Sequence, residues 1–140
     1  MIQAGSINSL SGNNFLRDDG TLAGTLSPED VFKLHPKIRW VAFSTESGRI
    51  LFSQMRPGLA SYTDERDDRG FMEFGPQILT GIAQKLSASG GAGKIESLAI
   101  NMEKDCVLLT RTRGGYLAIS ADRPDALLIF NELEHKIRQL

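Results

Sequence analysis

The stretch Ile38-Arg39-Trp40-Val41-Ala42-Phe43-Ser44-Thr45-Glu46-Ser47-Gly48-Arg49-Ile50-Leu51-Phe52-Ser53-Gln54-Met55 decides the fold. Trp40 to Phe43 are four apolar residues in a row, so a strand over 38–45 carries apolar groups on both faces, as a strand inside a covered sheet does. Glu46-Ser47-Gly48 is a turn, with Gly48 able to take positive φ. The chain then returns over 49–55 with Ile50, Leu51 and Phe52. The two runs form an antiparallel hairpin.

Upstream of the hairpin, Ser27-Pro28-Glu29-Asp30 marks a helix start. Ser27 can cap, Pro28 suits the first helical position, and the acids favour the positive end of the dipole. His35-Pro36 closes this short helix, because the residue before proline avoids the α region. Residues 1–26 are rich in Gly, Ser and Asn, and read as a flexible N-terminal arm.

Downstream, 56–69 is polar and reads as the longest loop. Ile78, Ile82 and Leu86 then recur at steps of four beside Leu79 and Ala83, which is one helical face. With Pro76 in the first turn, the helix is expected over 76–88, ended by Ser89-Gly90-Gly91-Ala92-Gly93. From Lys94 to Met102 the pattern alternates: Leu98, Ile100 and Met102 share one face, and Ser97, Ala99 and Asn101 the other. Strands over 106–111 and 116–121 follow, joined at Gly114-Gly115. Asp122-Arg123-Pro124-Asp125 opens a last helix, lined by Leu127, Phe130, Leu133, Ile137 and Leu140. The expectation is an α+β domain over 27–140, ordered α-β-β-α-β-β-β-α. Its five-stranded, mainly antiparallel sheet would carry helices on both faces.

The 140 residues suffice for one self-standing core. Sixteen basic and 17 acidic residues leave a net charge of −1, which offers no general attraction to nucleic acid or an acidic membrane. The lone cysteine, Cys106, points to a reducing cytoplasm, and no apolar run approaches a bilayer span.

No catalytic, cofactor or metal constellation stands out. Gly93-Lys94 resembles the end of a phosphate loop, but Ile95 stands where Ser or Thr is needed, and Ala88 where the first glycine is needed. Asp64-Glu65-Arg66-Asp67-Asp68 lacks the ligand spacing of a calcium loop and reads as solvated loop. His35, His135 and Cys106 share no metal-ligand spacing, and Cys106 has no evident base. Arg111-Thr112-Arg113-Gly114-Gly115 is explained by a hairpin turn without RNA.

The alternating strand over 94–102 begins a meander and is a natural sheet edge, open to pairing with another chain. Together with the apolar helix before it, this points to a symmetric dimer; cover by a loop or the N-terminal arm is the alternative.

This order of elements resembles the roadblock/dynein light chain 7 family. The local likeness lies in Val41-Ala42-Phe43-Ser44-Thr45-Glu46-Ser47-Gly48-Arg49-Ile50-Leu51, in Ile95-Glu96-Ser97-Leu98-Ala99-Ile100 and in Tyr116-Leu117-Ala118-Ile119-Ser120. The resemblance implies a non-enzymatic scaffold that homodimerises and acts on, or binds, a small Ras-like GTPase. It would place Ile78, Ile82, Ser97 and Ala99 at the dimer surface. The other reading is a small-ligand sensor of the PAS or GAF type, with Trp40, Phe43 and Phe52 lining a pocket under the long loop.

Overall fold

A computed structural model describes residues 14–16, 22–86, 91 and 93–140. The expected arm over 1–26 lies mostly outside these residues. The part described is a short antiparallel pair, β1 (Asn14–Leu16) with β2 (Leu22–Thr25).

The first helix, α1 (Pro28–Phe32), starts as expected. The Ser27 hydroxyl accepts from the Asp30 amide, and the Asp30 carboxylate accepts from the Ser27 amide. The hairpin follows as β3 (Trp40–Thr45) and β4 (Ile50–Met55), with Gly48 at φ 99° in the turn. All of β3 is buried, as its continuous apolar run required.

The second helix corrects the sequence reading. It is α2 (Glu65–Lys85), not a helix confined to 76–88, and the expected loop over 56–69 ends at its cap, Asp64. The charged run is the first turn and a half of helix. The Asp64 carboxylate accepts from the Asp67 amide, and the Asp67 carboxylate from the Asp64 amide. Acidic residues there also suit the positive helix end. Pro76 therefore sits mid-helix, where it removes one amide donor but is buried against the sheet with Gly75. An added Cβ on Gly75 would lie 3.1 Å from Leu109 Cδ2, so the small residue lets α2 approach the sheet closely.

The last strands are β5 (Ser97–Asn101), β6 (Asp105–Arg111) and β7 (Gly115–Asp122), and the chain closes with α3 (Arg123–Arg138). Asp105 opens β6, one residue before the expected start of that strand. Asp122 occupies the cap position of α3 but makes no capping hydrogen bond. The sheet runs β4-β3-β7-β6-β5, antiparallel throughout, which places β5 at an edge as expected.

Two apolar layers hold the domain. On one face Val31, Phe43, Leu117, Ile119, Phe130 and Leu133 join α1 and α3 to the sheet. On the other Trp40, Met72, Leu79, Leu109 and Tyr116 hold α2 against it. Arg56 ties the end of β4 to the α1 region. Its guanidinium donates to the carbonyls of Ile38 (2.7 Å), His35 (2.7 Å) and Phe32 (3.1 Å) and lies 4.9 Å over the Phe32 ring.

Candidate functional site

α2 is amphipathic in two directions. Met72, Gly75, Pro76 and Leu79 point into the sheet. Phe74, Ile78, Ile82 and Leu86 recur every four residues and are 63%, 47%, 39% and 59% exposed. Phe74, Ile78 and Ile82 lie along α2 and Leu86 is its C-cap in extended backbone; a solitary domain would not gain from showing these large apolar side chains to water.

Ile78 and Ile82 stand together in that stripe. Ser97 and Ala99 do not join them: they line a groove of about 170 Å³ on the opposite face, with Leu108, Leu127 and Phe130 beside α3. The four expected residues thus lie on opposite faces of the sheet, two on α2 and two on the edge strand β5. A partner strand paired to that edge would extend both faces at once. Phe74 and Leu86 complete the stripe; Leu86 belongs to the sequence periodicity, whereas Phe74 precedes the helix expected from Pro76.

A second feature was not foreseen. Beside the start of α2 lies a hollow of about 620 Å³, floored by Trp40, Val107 and Ser120 and walled by Phe71, Tyr62 and Asp105. The Phe71 ring meets Trp40 edge-on, with centroids 6.1 Å apart. The loop after β4 is fastened here. Arg39 donates to the Ala60 carbonyl (2.8 Å), lies 4.3 Å over the Tyr62 ring and approaches Asp122 at 3.8 Å. Tyr62 donates to Asp122 at 2.9 Å.

Asp105 is 8% exposed, and its Oδ1 has no hydrogen-bond partner among the described residues. Burial is the main force that raises its carboxyl to about 6; neighbouring Asp122 pushes the same way, while Arg39, the Cys106 amide and the Ser120 hydroxyl oppose it. Burial also raises the Cys106 thiol, which suits a structural side chain more than a nucleophile. These groups converge from distant parts of the chain, so no local motif announced them.

The remaining candidates are absorbed by the fold. His35 pairs with Glu132 at 3.2 Å, and His135 with Gln139 at 2.9 Å. Among the described residues, no group of acids, histidines and cysteine could hold a metal, and no helix is long and apolar enough to cross a membrane. Arg111 donates to the Tyr116 hydroxyl at 3.2 Å. Of the glycine turn expected over 89–93, Ser89, Gly90 and Ala92 lie outside the described residues. Of the three residues expected to line a pocket under the loop, Trp40 and Phe52 border a cavity of about 620 Å³ with Ser61 and Thr63, whereas Phe43 belongs to the α3 face and stacks on Phe52 at 5.9 Å.

No family model and no curated protein matches the chain in sequence. Solved structures do match in shape, and the fold is that of a Roadblock/LC7 domain. The domain of that name from Streptomyces avermitilis superposes with a TM-score of 0.57 at 12% identity, covering 79% of this chain and 88% of that one. An MglB described in a tetrameric arrangement gives a TM-score of 0.59 at 10% identity, over 79% of both chains. The gliding protein MglB from Thermus thermophilus gives the same TM-score, identity and coverage.

Proposed function

We propose that this domain is a non-catalytic interaction module that self-associates through α2 and the edge strand β5. The paired module acts as a scaffold or regulator for a small Ras-like GTPase in a reducing cytoplasm. The exposed stripe Phe74, Ile78, Ile82 and Leu86 carries this reading. Burying a large aliphatic side chain is worth about 1.5–3 kcal/mol when complete, so four half-exposed ones supply a strong drive to associate. The open edge of β5 offers main-chain donors and acceptors beside its groove. The fold shared with an MglB in a tetrameric arrangement supports self-association. The balanced charge fits a protein partner better than a polyanion.

The test has two parts. Sedimentation velocity should show concentration-dependent assembly that the Ile78→Glu and Ile82→Glu changes abolish. The purified chain, titrated with the small GTPases of its own source in their GDP and GTP-analogue forms, should bind one of them saturably. Assembly without any such binding would retain the scaffold and remove the GTPase.

A further inference from the structure

We propose that the hollow beside the start of α2 is a binding site for a small planar organic cation, an aromatic or heteroaromatic ring bearing an amidinium or ammonium group. Its volume of about 620 Å³ lies within the range of small-molecule sites. Its lining is mostly apolar and aromatic, from Trp40, Met55, Phe71 and Val107, which suits a flat ring.

The charged groups of the lining are three acids, Asp67, Asp68 and Asp105, and two arginines, Arg39 and Arg66, so its balance is one negative charge. Arg39 is already engaged with Asp122, the Ala60 carbonyl and the Tyr62 ring. Asp68 accepts from the Thr63 hydroxyl at 2.6 Å, and Asp67 serves the helix cap. Asp105 differs from these. It is nearly buried, has no direct ion-pair partner among the described residues, and keeps one oxygen without a donor. A buried acceptor in that condition needs an explanation. A guest that brings a positive charge into the hollow supplies the countercharge this buried carboxylate lacks. Ser61, Tyr62 and Thr63 line the hollow, and their loop is held by Arg39 on the Ala60 carbonyl and by Tyr62 on Asp122.

The site lies apart from the outward stripe of α2 and does not depend on self-association. Benzamidine is a suitable probe, with benzoate as the same ring of opposite charge. The readout is the indole N–H signal of Trp40, the sole tryptophan, in spectra of the ¹⁵N-labelled full chain at pH 7.5. Benzamidine should shift that signal saturably, with a Kd of about 1 mM or tighter for so small a ligand. Benzoate should leave it unmoved. Asp105→Asn should weaken benzamidine at least about tenfold with circular dichroism unchanged, while Ile78→Glu should bind it as the native chain does. No saturable shift, equal response to benzoate, or undiminished affinity in a folded Asp105→Asn chain would each overturn the proposal. If that variant does not fold, the benzamidine and benzoate arms still decide.

Discussion

The Tyr62 hydroxyl donates to Asp122 Oδ1 at 2.9 Å, which joins the loop after β4 to the end of β7 across 60 residues of sequence. The same carboxylate lies 3.8 Å from Arg39, so one acid at the start of α3 holds both Tyr62 and the arginine that bonds the Ala60 carbonyl. Tyr62→Phe removes the bond and keeps the ring. The expected result is faster amide exchange confined to about residues 57–63, with Tm changed by less than about 2 °C. Hydrogen-exchange mass spectrometry reads both the loop and the rest of the chain, and unchanged loop protection would deny the anchor.

Two glycines should answer oppositely to alanine. A Cβ on Gly115 would collide with the Ser44 carbonyl, which is backbone held between two paired strands. Gly115→Ala should therefore cost about 3 kcal/mol or more. The nearest atom to a Cβ on Gly75 is the end of the flexible Leu109 side chain, 3.1 Å away. Helix propensity there gains about 1 kcal/mol, so Gly75→Ala should stay within about 1 kcal/mol of the native chain. Urea denaturation of both variants separates the two cases.

Arg56 should prove a structural residue. Its three carbonyl partners, Phe32, His35 and Ile38, lie in α1 and in the segment that leads from it to β3. Arg56→Ala should cost about 2–3 kcal/mol. Arg56→Lys should recover only part, since one ammonium cannot span the fork of acceptors. A full recovery by lysine in the same denaturation assay would refute the geometric reading.

The raised carboxyl of Asp105 makes stability depend on pH in a definite sense. Its folded value is about 6, above the ordinary value of about 3.9 in an unfolded chain. Between those values the folded chain holds a proton that the unfolded chain has released. Stability from this group is therefore present below pH 4, falls as pH rises towards 6, and stays low above it. Asp105→Asn should stabilise the protein at pH 7.5 by on the order of 1 kcal/mol and have little effect at pH 4. Equal effects at both pH values would contradict a buried, titrating carboxylate.

Much of the fold was legible because its signals are local. Gly48 after a four-residue apolar run marks a hairpin, the alternation from Ser97 to Asn101 marks an edge strand, and Ser27-Pro28 marks a helix start. The start of α2 was missed for an equally local reason. Asp64 and Asp67 make a capping box, but their charged neighbours and the downstream Pro76 resemble loop and first turn. A proline tolerated mid-helix on a buried face cannot be told from one at the start by spacing alone. Three of the four stripe residues were legible too, since Ile78, Ile82 and Leu86 recur with helical period. The relation of Ser97 and Ala99 to α3 depends on which way β5 faces, and the hollow at Asp105 depends on Arg39, Tyr62 and Asp122 meeting in space.

The central claim concerns the stripe on α2, and light scattering after size exclusion measures it most directly. Run from low to high micromolar concentration, the native chain should approach at least twice its 15.4 kDa mass. The Ile78→Glu, Ile82→Glu double variant should remain at 15.4 kDa with unchanged circular dichroism. A native chain that stays monomeric throughout, or a folded double variant that still assembles as the native chain does, would contradict the account.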